Sequence, residues 1–358
     1  MKRILLIVQV VLLLVCAGTA YWAYKDLHTP VQHSKSHQYI DIPRGSTPSA
    51  VVKRLTKEGV IKYEWPLAIY MKFAGTNSRL KAGEYVFPSP ISPLGVLRKL
   101  ELGEQRVMRL TIIEGWSRWD IANAMARLPE LGLTDPETAL ALMNDVSQIR
   151  NLDPQATNLE GYLYPDTYEF PPGTTPKAVI EMMVKRSLTE WSPEHIAKAR
   201  TMNLTPRQIV TIASLIETEA KLKDDRPLIA SVIYNRLNKN ISLAIDSSVI
   251  YASKLAGKWK NDGKVYQSDI DRNSPYNTRL HPGLPPGPIA APGASSLEAA
   301  LNPAQTNYLY YVRDPARNDG AHNFYANDRD FSQGVQALRN WERQRDSENA
   351  ARKGQSPP

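Results

Sequence analysis

The sequence predicts a mixed α+β protein of more than one domain behind a single membrane-spanning helix, and three observations predict it. Ile4–Ala20 is an uncharged, largely apolar run preceded by Met1-Lys2-Arg3 and extended by Tyr21, Trp22, Ala23 and Tyr24. Beyond it, short β-branched stretches alternate with amphipathic helical ones. At 358 residues the chain also has room for two or three cores.

About twenty apolar residues cross a bilayer, and Lys2 and Arg3 predict a cytoplasmic N-terminus with aromatic residues at the far interface. A cleaved signal peptide competes with an uncleaved anchor, because Gly18-Thr19-Ala20 offers small residues at a cleavage position. The length of the apolar run favours the anchor, residues 1–24, with the rest of the chain outside. Residues 25–38 read as a polar linker, whose His28, His33 and His37 lack the spacing and carboxylate partners of a metal site. The net charge of +8 favours anionic partners, namely phospholipid headgroups, nucleic acid or an acidic polymer. The basic residues are scattered, with no zinc-finger, RNP-like or Lys/Arg-block motif, so nucleic acid is the weakest of these. Cys16 is the single cysteine, which excludes an internal disulfide and a Cys-based metal site. No cofactor motif is present.

In residues 39–104, Tyr39–Ile42 is a strand and Thr47-Pro48 opens a helix through Leu55. Trp65–Phe73 is a helix, Ala82–Phe87 a strand, and Ser92–Leu102 a helix with Pro93 at its start. This is a small α+β module with no catalytic constellation, so binding or spacing is its natural role. Leu110–Ile113, Glu114-Gly115 and a helix containing Ile121 and Met125 echo it within a second small unit and connector, residues 105–155. Pro129–Gln155 is mostly helical.

The chemistry-bearing residues lie in 156–342, followed by a polar tail, 343–358. Thr205, Pro206 and Gln208 satisfy a capping-box pattern with proline where its missing N–H costs nothing, so a helix begins there. Ile209, Ile212, Ile216 and Ala220 recur at helical spacing, and Val210, Ala213 and Glu217 form the adjoining strip. Glu217 thus sits at the edge of an apolar stripe, while Glu219 falls among the first set. A carboxyl group against apolar side chains loses hydration in its charged form, which raises its pKa toward the range of a general acid. Two solvated helix acids are the plain alternative.

Leu159–Phe170 interleaves aromatics and acids, either a sugar-binding edge, since rings stack on pyranose C–H faces, or a tyrosine-rich strand. A helix runs from near Thr175 to about Glu190. Another, started by Asp225 and Arg226-Pro227 and running over Leu228–Leu237, carries Asn235 and Arg236, and Asp246 reads as an N-cap. Ser274–Pro303, dense in Pro and Gly, suits a groove wall or a long surface loop. Ser296 caps a helix through Leu301. Tyr308–Val312 and His322–Tyr325 read as a hairpin.

LEGYLYPDTY at Leu159–Tyr168, ASLIETEA at Ala213–Ala220, SVIYNRL at Ser231–Leu237, DSSVIYA at Asp246–Ala252 and SPYNTRLHPGLPPGPIAAPGASSLEAALNPA at Ser274–Ala304 resemble the MltG-type endolytic murein transglycosylases, the YceG-like family. The resemblance covers nearly the whole chain. It implies a single-pass protein of the bacterial inner membrane, N-terminus cytoplasmic, with a LysM-like module at 39–104 and a periplasmic catalytic domain at 156–342. The substrate would be nascent peptidoglycan, cut between N-acetylmuramic acid and N-acetylglucosamine to leave 1,6-anhydro ends, ending strand elongation beside peptidoglycan synthases. By position, the catalytic glutamate, the first of the two in that helix, falls on Glu217; Glu219 is the rival candidate, its place on the neighbouring strip suggesting support or packing. Glu160, Tyr162, Asp166, Asn235, Asp246, Tyr276, Asn277, Thr278, Leu284 and Pro285 fall on the implied substrate groove, and neither metal nor cofactor is required. Where family members often carry a histidine after a His-x-Phe element, this chain has Phe331. One carboxyl suffices for such a lyase, because the muramoyl 6-hydroxyl serves as nucleophile. Hydrolysis would need a second carboxylate from Glu160, Asp166 or Asp246, and a glycan-binding scaffold would need none.

Overall fold

The computed structural model describes residues 2–75, 79–317 and 319–354, and the chain divides into two units. The first comprises Met1–Arg109 with Glu169–Thr174, the second Leu110–Tyr168 with Thr175–Pro358.

The first unit opens with α1 (Lys2–His28), a helix long and apolar enough to cross a membrane, with Ile4–Val8 and Val10–Val15 outward-facing. Its far end packs: Leu27 is buried, Trp22 stacks on Trp65 at 5.3 Å between ring centroids, and Tyr63 meets it tilted at 5.0 Å. Then follow β1 (Ile40–Ile42), α2 (Pro48–Lys57), α3 (Glu64–Phe73), β2 (Gly83–Tyr85) and α4 (Pro93–Leu102). The Thr47 hydroxyl accepts from Ala50 N–H and that of Ser92 from Gly95 N–H, capping α2 and α4 ahead of prolines that need no partner. β1 and β2 pair antiparallel, Ile40 opposite Tyr85, and turn Ile40, Ile42 and Tyr85 onto a core with Leu55, Leu67, Met71, Phe87, Val96 and Leu100.

β3 (Met108–Thr111) pairs with β4 (Thr167–Phe170), and two of the three unit boundaries fall within these strands. The second unit contains α5 (Arg118–Ala126), α6 (Pro136–Leu142), α7 (Pro176–Thr189), α8 (Pro193–Thr201), α9 (Pro206–Glu219), α10 (Asp225–Asn238), α11 (Asp246–Leu255), the short α12 (Gln267–Ile270) and α13 (Ala294–Leu301). A hairpin of β5 (Tyr310–Arg313) and β6 (His322–Tyr325) leads into α14 (Asp328–Gly354). α9 is its axis. Thr205 and Gln208 form the expected capping box, and Ile209, Ile212, Leu215 and Ile216 are wholly buried, packing with residues of α10, α11 and α13. Each such side chain contributes about 1.5–3 kcal/mol by leaving water.

Three expectations change. α8 was not anticipated, although Ser192-Pro193 is the same hydroxyl-proline cap. Asp246 does not cap α11: Ile245 occupies the cap, and Asp246 is the first helical residue, its carboxylate held by Arg279. Ser296 does not cap α13, which follows Gly293; it is buried inside the helix and accepts from Arg226 Nε at 3.0 Å. The helix α14 also runs through the boundary placed at 342/343, and residues 355–358 of the tail lie outside the described residues.

Candidate active site

The end of α9 places two acids in opposite surroundings. Glu217 points inward and is 8% exposed. Its Oε1 accepts from Arg226 Nη2 at 2.7 Å, and its Oε2 from Gly293 N–H at 2.8 Å. Arg226 is buried too, and Glu114, its other acidic neighbour at 3.6 Å, is half exposed. A guanidinium keeps its charge at any working pH. Each is thus the other's nearest counter-charge in the interior. This pair locks the start of α10 to α9 and α13.

Glu219, the last residue of α9, is half-buried and, among the described residues, has no cationic partner in hydrogen-bond reach. Its Oε2 accepts from the Tyr311 hydroxyl at 3.0 Å, and its Oε1 from the Ser247 hydroxyl at 3.3 Å. Burial pushes its pKa up and the charge on Asp246 adds to the rise, while Tyr311, His322 and Ser247 oppose it. Tyr311 is itself held far above the usual phenol range by burial and by Glu219. The Ser247 hydroxyl also pairs with that of Thr218 at 2.7 Å. His322 stands edge-on to Tyr311 at 5.4 Å, and its backbone N–H and Nδ1 both lie 2.9 Å from Asp225 Oδ2. The site is thus a partly open acid held by two neutral hydroxyls, with one nearby carboxylate favouring its protonated form. Tyr311, Ser247 and His322 were not singled out from sequence as site residues.

The residues expected along a substrate groove divide between scaffold and surface. Asp246 lies beside Glu219, half-exposed and paired with Arg279. Asn235 Nδ2 donates to the carbonyls of Thr306 and Tyr308 at 2.9 Å each, tethering the segment that leads into β5 and Tyr311. Asn277 is fully buried and closes a turn by donating to the Ile270 and Arg272 carbonyls; Thr278 Oγ1 accepts from Ile245 N–H, fixing the approach to α11. Tyr276 lies against Tyr251 at 4.9 Å. Leu284 and Pro285 belong to the Pro-rich stretch, which is no surface loop: Leu284 packs on the core, and residues 287–293 are buried. Arg207 holds that stretch through the Pro286 carbonyl, and Ile289 N–H donates to Ser214 Oγ inside α9.

The aromatic and acidic run turns mostly inward. Tyr162 is fully buried and donates to Asp153, which also binds Arg207 at 2.7 Å. Glu160 is 3% exposed; burial lifts its pKa to about 7, against the opposing pull of the Arg118 N–H at the start of α5 and the Tyr251 hydroxyl. Gly161, at φ 80°, lies where a Cβ would fall 2.5 Å from Pro288 and 2.8 Å from Val210. Asp166 and Glu169 are the solvent-facing acids of the run, Asp166 3.4 Å from Arg186 and Glu169 2.7 Å from Arg109. The structure therefore brings Asp246 to Glu219, while Glu160 and Tyr162 are interior.

A family model described as the YceG-like family matches residues 40–337. The chain is similar to the endolytic murein transglycosylase of Bacillus subtilis, 37% identical over 313 residues, covering 82% of this chain and 84% of that protein. It is 31% identical over 333 residues to the endolytic murein transglycosylase of Streptococcus pneumoniae D39, spanning 85% of this chain but 60% of that protein. Among solved structures, a putative YceG-like protein of Listeria monocytogenes superposes with a TM-score of 0.56 at 30% identity, over 84% of this chain and 99% of that one.

Proposed function

The chain belongs to the YceG-like family, and from that premise we propose that it is an endolytic murein transglycosylase whose acid–base is Glu219. The observation that carries the assignment is the contrast along α9: Glu217 is held by a buried guanidinium, whereas Glu219 is reachable, raised in pKa and held by neutral hydroxyls. Protonated Glu219 donates to the glycosidic oxygen between N-acetylmuramic acid and N-acetylglucosamine. The resulting carboxylate takes the proton of the muramoyl 6-hydroxyl as that oxygen bonds to the anomeric carbon, so the acid is regenerated and a 1,6-anhydro end forms without water. Tyr311 and Ser247 orient the carboxyl, and their hydrogen bonds stabilise its ionised form after proton donation.

The remaining parts follow the same reading. α1 is a single-pass inner-membrane anchor with a cytoplasmic N-terminus, and the second unit works in the periplasm on nascent strands, ending their elongation beside a synthase. The β1–α2–α3–β2 order with an antiparallel pair supports reading that module as LysM-like, a glycan-holding element.

Mass spectrometry of products from uncrosslinked glycan strands tests the proposal, with wild type, Glu219→Gln and Glu217→Gln compared. Anhydro ends from wild type and their loss in Glu219→Gln, with the fold intact by circular dichroism, are expected. Activity retained in Glu219→Gln would return the role to Glu217. Products one water heavier would point to hydrolysis, with Asp246 as the second carboxylate.

A further inference from the structure

We propose that a second cleft of the same unit, lined by Trp119, Asp120, Asn123, Lys254, Trp259 and Asn261, is a subsite for an uncharged N-acetylhexosamine ring of the glycan strand. This rests on the transglycosylase reading and specifies where the strand lies beyond the bond being cut.

The cleft encloses about 250 Å³ and offers two half-buried indoles. Trp119 is fixed from behind: Tyr251 meets it edge-on at 5.3 Å, and the Arg118 guanidinium lies 4.8 Å from its ring. Asn123 Nδ2 is spent on the Trp119 carbonyl at 2.8 Å, which fixes the amide and leaves its oxygen as an acceptor. Lys254 Nζ sits 3.0 Å from Asp120 Oδ2 and 3.1 Å from Ser117 Oγ, so the two charges of the cleft compensate each other. Indole faces, amide groups and no net charge match a ring whose C–H faces are apolar and whose acetamide and hydroxyls are polar but neutral. A lactyl carboxylate or an acidic peptide would call for an unpaired cation.

Its position connects it to the chemistry. Ser247, Tyr251 and Lys254 stand at i, i+4 and i+7 on α11 and share one face. Ser247 bonds Glu219 at one end of that stripe and Lys254 lines the cleft at the other. The separation along the axis is about 10 Å at 1.5 Å rise per residue. The cleft and the acid thus lie toward the two ends of one helix, with the buried Tyr251 between them.

The test uses the full chain in detergent micelles, carrying Glu219→Gln so that nothing is cut, with N-acetylglucosamine oligomers as the probe in titration calorimetry. Trp259→Ala should weaken binding about tenfold, and Asn123→Ala by a smaller factor, with unchanged thermal midpoints. In the active protein, Trp259→Ala should reduce cleavage of long strands more than of short ones and shift the product lengths. Affinity unchanged in both variants, or an equal loss of activity on every strand length, would overturn the subsite. Wild-type protein that binds oligomers through Trp259 yet cuts no strand would overturn the transglycosylase reading and leave the sugar site standing.

Discussion

A carboxyl group that must release a proton and recover it within one turnover needs partners that tolerate both of its states. Hydroxyls do, because they donate to the carboxylate and can reorient beside the acid; a buried guanidinium does not. Glu217 is therefore expected to be structural. Glu217→Gln leaves Arg226 with half-exposed Glu114 as its remaining counter-charge, and should cost on the order of 3 kcal/mol, read as a lower denaturant midpoint at constant slope. Tyr311 is expected to set the working pH range. Its hydrogen bond lowers the pKa of Glu219, so Tyr311→Phe should raise it further. Because the reaction needs the protonated acid, the rate falls as pH rises through that pKa, and the variant's alkaline limb should move to higher pH. A limb that stays in place would mean that Tyr311 does not tune Glu219. The sequence marked both acids as candidates but could not rank them. What ranks them arrives from far along the chain: Ser247 lies 28 residues from Glu219 and Tyr311 lies 92.

Among the elements, the helix starts were the most legible part of the fold, since Thr47-Pro48, Thr205-Pro206 and Ser92-Pro93 are caps written within a few residues. The Pro-rich stretch was legible as important and illegible in placement, because its burial depends on Arg207 and Ser214 reaching it from α9. Gly161 shows the tightness of that packing: with a positive φ and Pro288 at 2.5 Å from where a Cβ would be, Gly161→Ala should destabilise the second unit, visible as a lower thermal midpoint. The buried Glu160 at the start of α5 makes this unit pH-sensitive. Its folded pKa of about 7 lies above the usual 4.5, so its contribution is fully present below about pH 4.5 and is lost as pH rises through 7. The change is on the order of 3 kcal/mol. Glu160→Gln, which can still accept from Arg118 N–H, should flatten the fall in thermal midpoint between pH 5 and 8 by that share.

At the scale of the whole chain, α1 is expected to hold the protein in the bilayer. The full chain should float with liposomes and resist alkaline carbonate, and removal of residues 1–24 should abolish flotation; a full chain extracted by carbonate would return the segment to a peripheral role. The composition supplied that expectation, while the division of the chain within β3 and β4 was invisible to it, because these strands meet across more than fifty residues. Glu219 also bears on the molecule as a whole through where α9 ends. A helix terminates in unpaired carbonyls that carry partial negative charge, so its last position is among the worst places for an anion. Burial and Asp246 already raise the pKa of this acid, and the local repulsion at the helix end acts in the same direction, penalising the fold whenever it ionises. On the proposed assignment, selection for thermal robustness alone would erode this residue, since a neutral replacement relieves the repulsion, and a screen for hardier variants would be drawn toward proteins that no longer turn over.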